Sequence, residues 1–265
     1  MPSLPPNSLI VVTGITGYIA QHVGLAALKA GLRVRATVRS LSRSEEVRAA
    51  YAKHGVDINN LDFVVIDDLT SEAQLANAIK GVDGVAHVAI PGSVPGDSDE
   101  NPQQAVDSNI NLLRAASKEP SIKRIVLTSS SVACIMPPDF KEGILTDKDW
   151  NEKNSALFLN GTEEDKKKPD WVMHRYAASK VLSEKAAWKW VEDEKVKQVF
   201  VYGLIFRALT CSFFFFFQPS FDVVTILPNA NFGPSVLGDH RSTLDWIYAL
   251  SHGIRAPAEQ VPPRE

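Results

Sequence analysis

Tyr176 and Lys180 lie four residues apart in Arg175-Tyr176-Ala177-Ala178-Ser179-Lys180-Val181-Leu182-Ser183-Glu184-Lys185-Ala186-Ala187-Trp188, which reads as a strong helix. At that spacing the phenol and the ammonium share one face. Upstream, the apolar run Ile122 to Leu127 delivers Thr128-Ser129-Ser130-Ser131 to the carboxyl end of a strand, the edge where open parallel sheets hold their ligands. A phenol with an ordinary pKa of ~10 is a poor acid–base group at neutral pH, so something must lower it. The ammonium of Lys180 and a positive nicotinamide ring would do so by favouring phenolate. A serine hydroxyl would hold a carbonyl oxygen, hydride would reach the carbon, and Tyr176 would donate the proton. Lys180 would also bind the nicotinamide ribose hydroxyls. Tyr-x-x-x-Lys alone is common on surface helices, so its meaning depends on what surrounds it.

The surroundings begin with Val11-Val12-Thr13-Gly14-Ile15-Thr16-Gly17-Tyr18-Ile19-Ala20, an apolar strand, a glycine turn and the start of a helix in which Val23, Ala26 and Ala27 recur at helical spacing. Such a turn aims backbone N–H groups at a pyrophosphate, and Gly14 and Gly17 remove side chains that would keep it away. The second strand, Leu32 to Arg39, ends without the acid that would bind a ribose 2′-hydroxyl. Arg39 stands there instead, with Ser40 and Arg43 after it, a pattern suited to the 2′-phosphate of NADP. A third strand, Leu61 to Ile66, ends at Asp67-Asp68, whose carboxylates would bind the adenine amino group, cap the helix starting near Ser71, or both. Gly81 to Ala89 is a fourth strand, and His87 within it reads as a packed core residue rather than a base. A helix follows over 104–117, with Val106, Ile110 and Leu113 on one face. Residues 136–170 form a long, polar, helix-poor segment beside the cleft, and Phe221 to Leu227 is the sixth strand.

With 265 residues, 45% of them apolar, the chain buries a sizeable core, and a net charge of −3 gives no reason to expect nucleic acid or a membrane surface. Cys134 and Cys211 are too few for a disulfide framework and lack metal-ligand spacing, so no metal and a reduced, cytoplasmic setting are expected. The first residues lack the charged start and apolar stretch of a signal peptide.

Together, Thr13 to Ala20, Asp68-Leu69-Thr70, His87-Val88-Ala89-Ile90-Pro91, Thr128-Ser129-Ser130 and Tyr176-Ala177-Ala178-Ser179-Lys180 resemble the extended short-chain dehydrogenase/reductase superfamily. Ala36-Thr37-Val38-Arg39 and the His-Val-Ala-x-Pro run resemble its dihydroflavonol-reductase-like branch, and Leu227 to Pro234 resembles the family's segment near the nicotinamide. The resemblance covers residues 8 to 195 and resumes from 219. It implies an α/β doubly wound parallel-sheet Rossmann fold and NADPH-dependent reduction of a ketone or aldehyde on a small molecule, by a monomer or homodimer. It makes Ser130, second after the threonine, the catalytic serine with Tyr176 and Lys180. The cofactor positions it implies are Gly14, Gly17, Tyr18, Ile19, Ala20, Arg39, Asp68, Leu69, Ala89, Lys180 and Pro228. Asn109 stands where a threonine is usual and receives no role. Sugar-nucleotide epimerases and dehydratases share the Ser/Tyr/Lys set but usually keep NAD bound, which Arg39 argues against. A catalytically inactive dinucleotide-binding fragment is the alternative from another class.

Residues 196–218 have no family counterpart. Removing them joins Glu194-Lys195 to Pro219-Ser220, an ordinary helix-to-strand connection. The 23 codons, 69 nucleotides in frame, can begin with GT at Val196 and end in a pyrimidine tract and CAG at Phe213 to Gln218. A retained intron is therefore expected in preference to a genuine insertion, amphipathic or partner-binding, or to a membrane span over 199–217, which Arg207 interrupts and which would part a helix from its strand. After Gly233-Pro234 only 31 residues remain, with one helix expected over 242–251, where the family builds most of its substrate lid. The expected organisation is an NADP-binding core over 1–195, the anomalous insert, and a last core strand with a short, truncated substrate region over 219–265.

Overall fold

The computed structural model describes residues 4–91, 101–136, 139, 145–194, 197–198, 221–229, 231 and 234–238. Strands β1 (Leu9–Val12), β2 (Arg33–Val38), β3 (Leu61–Val65), β4 (Gly84–His87), β5 (Arg124–Thr128), β6 (Lys197–Gln198) and β7 (Asp222–Ile226) form one sheet in the order β3-β2-β1-β4-β5-β7-β6. Every pairing is parallel. The order reverses between β1 and β4, the switch point beside which a doubly wound sheet opens its ligand crevice. This is the expected Rossmann fold, with one strand more than the sequence suggested. The expected sixth strand is β7, and the added β6 comes from the first residues of the insert; the rest of the insert, 199–217 included, and the helix expected over 242–251 lie outside the described residues.

Successive strand residues point to opposite faces, so each strand feeds two cores. Val12, Val34, Ala36 and Val38 pack beneath α1 (Tyr18–Lys29) and α2 (Ser44–Lys53), with Leu25, Leu28, Val47 and Tyr51. Val11, Val85, Ile125 and Val223 pack beneath α3 (Glu72–Ile79), α4 (Pro102–Ser117) and α6 (Trp171–Asp193), with Leu75, Leu112, Leu113 and Val191. Tyr51 locks α2 onto α1: it is fully buried, and its hydroxyl donates to the Gln21 carbonyl at 2.6 Å. A Cβ on Gly24 would stand 2.5 Å from Ile15 Cδ1 and 2.7 Å from the Tyr51 hydroxyl. This glycine lets α1 lie close to the Ile15 side chain and to α2.

Two sequence expectations need correction. Residues 136–170 are not helix-poor throughout, because α5 (Glu152–Leu159) forms there, with Asn151 accepting the Asn154 N–H at 3.4 Å as its cap. The Tyr176 helix also begins earlier, at Trp171, which places Tyr176 and Lys180 within a rigid stretch rather than at a fraying end. Ala177, Ala178, Val181 and Ala187 are buried on its inner face, and this apolar stripe sets the rotation of the helix.

Candidate active site

The glycine turn is held from three sides. Gly14 has φ +67°, and its N–H donates to Thr37 Oγ1 at 2.9 Å, tying the turn to the end of β2. A Cβ on Gly14 would stand 2.7 Å from Ala89 Cβ, so glycine is required here first by backbone shape and by the segment just past β4. The Ile15 N–H goes to Thr37 O and the Gly17 N–H to Gly14 O. The first bond entering α1 is Gln21 N–H to Gly17 O at 3.0 Å, which leaves the N–H groups of Ile19 and Ala20 ahead of it at the helix's positive end. A Cβ on Gly17 would meet only Gly14 O, at 3.1 Å, and otherwise open space over that end. The turn therefore fits a pyrophosphate, with Gly17, Ile19 and Ala20 at the approach and Gly14 shaping the loop. Tyr18 is buried, its ring edge-on to His22 at 5.5 Å.

Arg39 is exposed immediately beyond β2, beside Ser40. Arg43 turns the other way, forming a two-point pair with Glu46 at 2.8 and 2.9 Å. Asp68 is exposed, and its Oδ1 accepts both the Thr70 N–H at 2.8 Å and the Thr70 hydroxyl at 2.6 Å. It does not cap α3, because Ser71 takes that place by accepting the Gln74 N–H at 3.4 Å. Leu69, next to it, packs against the core beneath α3 and α4.

His87 is the core residue that the sequence suggested. It is 2% exposed, with Nδ1 3.2 Å from Thr13 Oγ1 and Nε2 3.1 Å from Ser108 Oγ. Thr13 Oγ1 already accepts the N–H groups of Val88 and Ala89 at 2.9 and 3.0 Å, so its hydroxyl proton goes to Nδ1. Nε2 therefore carries the ring proton and donates to Ser108. Burial, aided by the charge of Lys180, pushes the imidazole down to about 4 and keeps it neutral.

At the other side of the cleft, β5 ends in the serine run. Ser129 N–H donates to Ile226 O at 2.8 Å and Ser131 N–H to Pro228 O at 3.0 Å, which lashes the run to the end of β7. Ser130 is 7% exposed, its Oγ accepts the Val132 N–H at 3.3 Å, and its hydroxyl favours ionisation of the Tyr176 phenol. Lys180 is buried, and its Nζ donates to the carbonyls of Thr128 and Ser129 at 3.3 and 3.4 Å, 5.7 Å from the Tyr176 ring centre. Ser130, Tyr176 and Lys180 thus meet at one strand end. The neighbouring Ser129 sends its hydroxyl inward to Glu184, which separates its part from that of Ser130.

The electrostatics differ from expectation at Tyr176. Burial pushes the phenol above its ordinary value, and the Ser130 hydroxyl only partly opposes this. Desolvation of the phenolate is the dominant effect, so the phenol is raised where the sequence predicts a fall. Lys180 is itself lowered to about 8 by burial, with Glu184 acting against that fall. Glu184 was missed in the sequence, although it lies one helical turn after Lys180 on the same face. Thr13 and Thr37, which pin the glycine turn, were also missed; each lies on or beside a strand end facing that turn.

The sequence model of the NAD dependent epimerase/dehydratase family matches residues 10–203. The chain belongs to this family. Aldehyde reductase 2 of Sporidiobolus salmonicolor is 34% identical to it over 259 residues, 96% of this chain and 67% of that protein. A ketoreductase of Penicillium roqueforti is 30% identical over 98% of this chain and 68% of its own length. The dihydroflavonol-reductase-like branch is represented by an anthocyanidin reductase of Vitis vinifera, 29% identical over 91% of this chain and 61% of that protein. The yeast methylglyoxal/isovaleraldehyde reductase complexed with NADPH shares the fold at a TM-score of 0.61 and 23% identity, covering 86% of this chain and 59% of its own. The chain spans about 60% of the length of such solved structures. Members of this extended short-chain dehydrogenase/reductase family use a nicotinamide dinucleotide, for which the glycine turn is the fitting seat. Among the described residues no helix is long and apolar enough to cross a membrane.

Proposed function

We propose that this chain reduces a ketone or aldehyde on a small molecule with NADPH, and that Tyr176 donates the proton. One observation carries the reading: buried Lys180 is seated on the two carbonyls just before Ser130, 5.7 Å from the Tyr176 ring centre, so all three side chains share one strand end. Bound at the glycine turn, NADPH would supply the hydride and, once oxidised, a positive ring beside the phenol. Ser130 orients the carbonyl oxygen. The buried phenol is fully protonated at neutral pH, the form that a donor needs, and Ser130 and the Lys180 ammonium stabilise the phenolate left behind. Lys180 also holds the nicotinamide ribose. Arg39 selects the 2′-phosphate by a charge-assisted contact, Asp68 and Leu69 border the adenine, and Ala89 and Pro228 wall the cofactor cleft. The similarity to an aldehyde reductase and a ketoreductase supports carbonyl reduction.

The test is incubation with aldehydes and ketones and either NADPH or NADH, following cofactor oxidation and alcohol formation together. Stoichiometric alcohol with NADPH, and slower turnover with NADH, is expected. Cofactor binding without alcohol from any carbonyl, or equal use of a sugar nucleotide with retained NAD, contradicts the proposal.

A further inference from the structure

Glu184 is 2% exposed, and the mechanism above does not use it. Its carboxylate accepts the Ser129 hydroxyl through Oε2 and the Trp188 indole N–H through Oε1 at 3.3 Å. Ser129 is also the residue whose carbonyl receives the Lys180 ammonium. A buried carboxylate has to be matched by charge and hydrogen bonds, and among the described residues the buried ionic side chains are Arg175, Lys180 and Glu184, with His87 neutral. Arg175 lies nine positions before Glu184 along α6, whereas Lys180 lies one turn before it. The space beside the carboxylate, between Asn109, Ser129 and Thr225, is a cavity of about 10 Å³, too small for the several waters that would screen the charge.

We propose that Glu184 is the positioning residue of this site: through Ser129 it fixes the seat of Lys180, and it supplies the buried negative charge that the ammonium needs. This rests on the reading of Lys180 as the cofactor-binding ammonium. The groups facing Lys180 are Tyr176 and Glu184 on its own helix, His87 on β4, and the carbonyls of Thr128 and Ser129 on β5. At neutrality His87 and Tyr176 are uncharged, so Glu184 is the one acidic side chain among them. With Lys180 already lowered to about 8, loss of that charge lowers it further.

Glu184→Gln keeps the shape, and its amide and carbonyl still satisfy Ser129 and Trp188. NADPH affinity, read by cofactor fluorescence across pH in the full chain, reports the charge of Lys180 without requiring turnover. In Glu184→Gln the pH above which binding weakens moves down by about one unit, while Glu184→Asp, which keeps the charge, returns it towards the unchanged protein. A uniform loss of affinity at all pH values, or an unmoved profile in a folded Glu184→Gln, overturns the proposal. Thermal unfolding establishes folding. Should Glu184→Gln not fold, Glu184→Asp has to fold and keep the original profile, and a shifted profile there overturns the proposal. If no carbonyl is reduced by any of the proteins, the proposed function fails, and the binding profiles still decide the role of Glu184.

Discussion

Thr13 Oγ1 stands 3.2 Å from Nδ1 of His87 while accepting the N–H groups of Val88 and Ala89, so one hydroxyl ties the glycine turn to the end of β4. The bond needs a neutral imidazole, and this has a measurable consequence. His87 falls from 6.5 in an open chain to about 4 in the fold. Its contribution is complete above pH 6.5 and is lost as pH falls through about 4, a total of about 3 kcal/mol. Thermal unfolding between those limits should steepen with acid. His87→Gln should be less stable at pH 7 and flatter across the same window; an equally steep acid slope in the variant would contradict this account.

Gly14→Ala meets two separate obstacles, a φ of +67° and a Cβ only 2.7 Å from Ala89 Cβ. The single variant should lose about 1–3 kcal/mol and most cofactor binding. Adding Ala89→Gly should recover the contact part and leave about 1 kcal/mol from the backbone. Denaturant titration of the two variants separates the parts, and no recovery at all would show that the segment just past β4 is not what confines the turn.

In the proposed function Arg39, exposed beyond β2, chooses the cofactor, since Arg43 is engaged with Glu46. Arg39→Ser should weaken NADPH binding about tenfold and leave NADH within about twofold, as expected for one charge-assisted phosphate contact. Equal weakening of both cofactors in a fluorescence titration would remove Arg39 from that role.

We propose that residues 196–218 are a retained intron. Lys197 and Gln198 pair with Asp222 and Val223 at the sheet's outer edge, so among the described residues removal of the segment takes away the two-residue β6 and leaves β5 paired with β7. Sequencing of transcripts across these codons should find a form lacking the 69 nucleotides. Transcripts that all retain them would make the segment a genuine insertion.

Much of the architecture was legible because it follows from repeated local patterns. Alternation in Leu32 to Arg39, the glycine turn at 14–17 and the four-residue spacing of Tyr176 and Lys180 each state their geometry locally. The less legible parts depend on distance in sequence. Ser129 and Ser130 look alike in the chain, and only the packing of α6 draws the Ser129 hydroxyl to Glu184 while Ser130 stays beside the start of the following turn, its Oγ accepting the Val132 N–H. The phenol's rise was hidden for the same reason, since burial is set by elements far apart in sequence. Helix α5 escaped notice because its residues are mostly polar or exposed and carry a weak apolar stripe; Asn154 and Ser155 are its buried members.

The most direct test of the central claim is Tyr176→Phe, with carbonyl reduction and NADPH binding measured on the same preparation. The hydroxyl donates the reacting proton in this account, so kcat should fall at least about a hundredfold while the Kd for NADPH stays within about threefold. Reduction at an undiminished rate, with binding intact, would show that the proton comes from elsewhere.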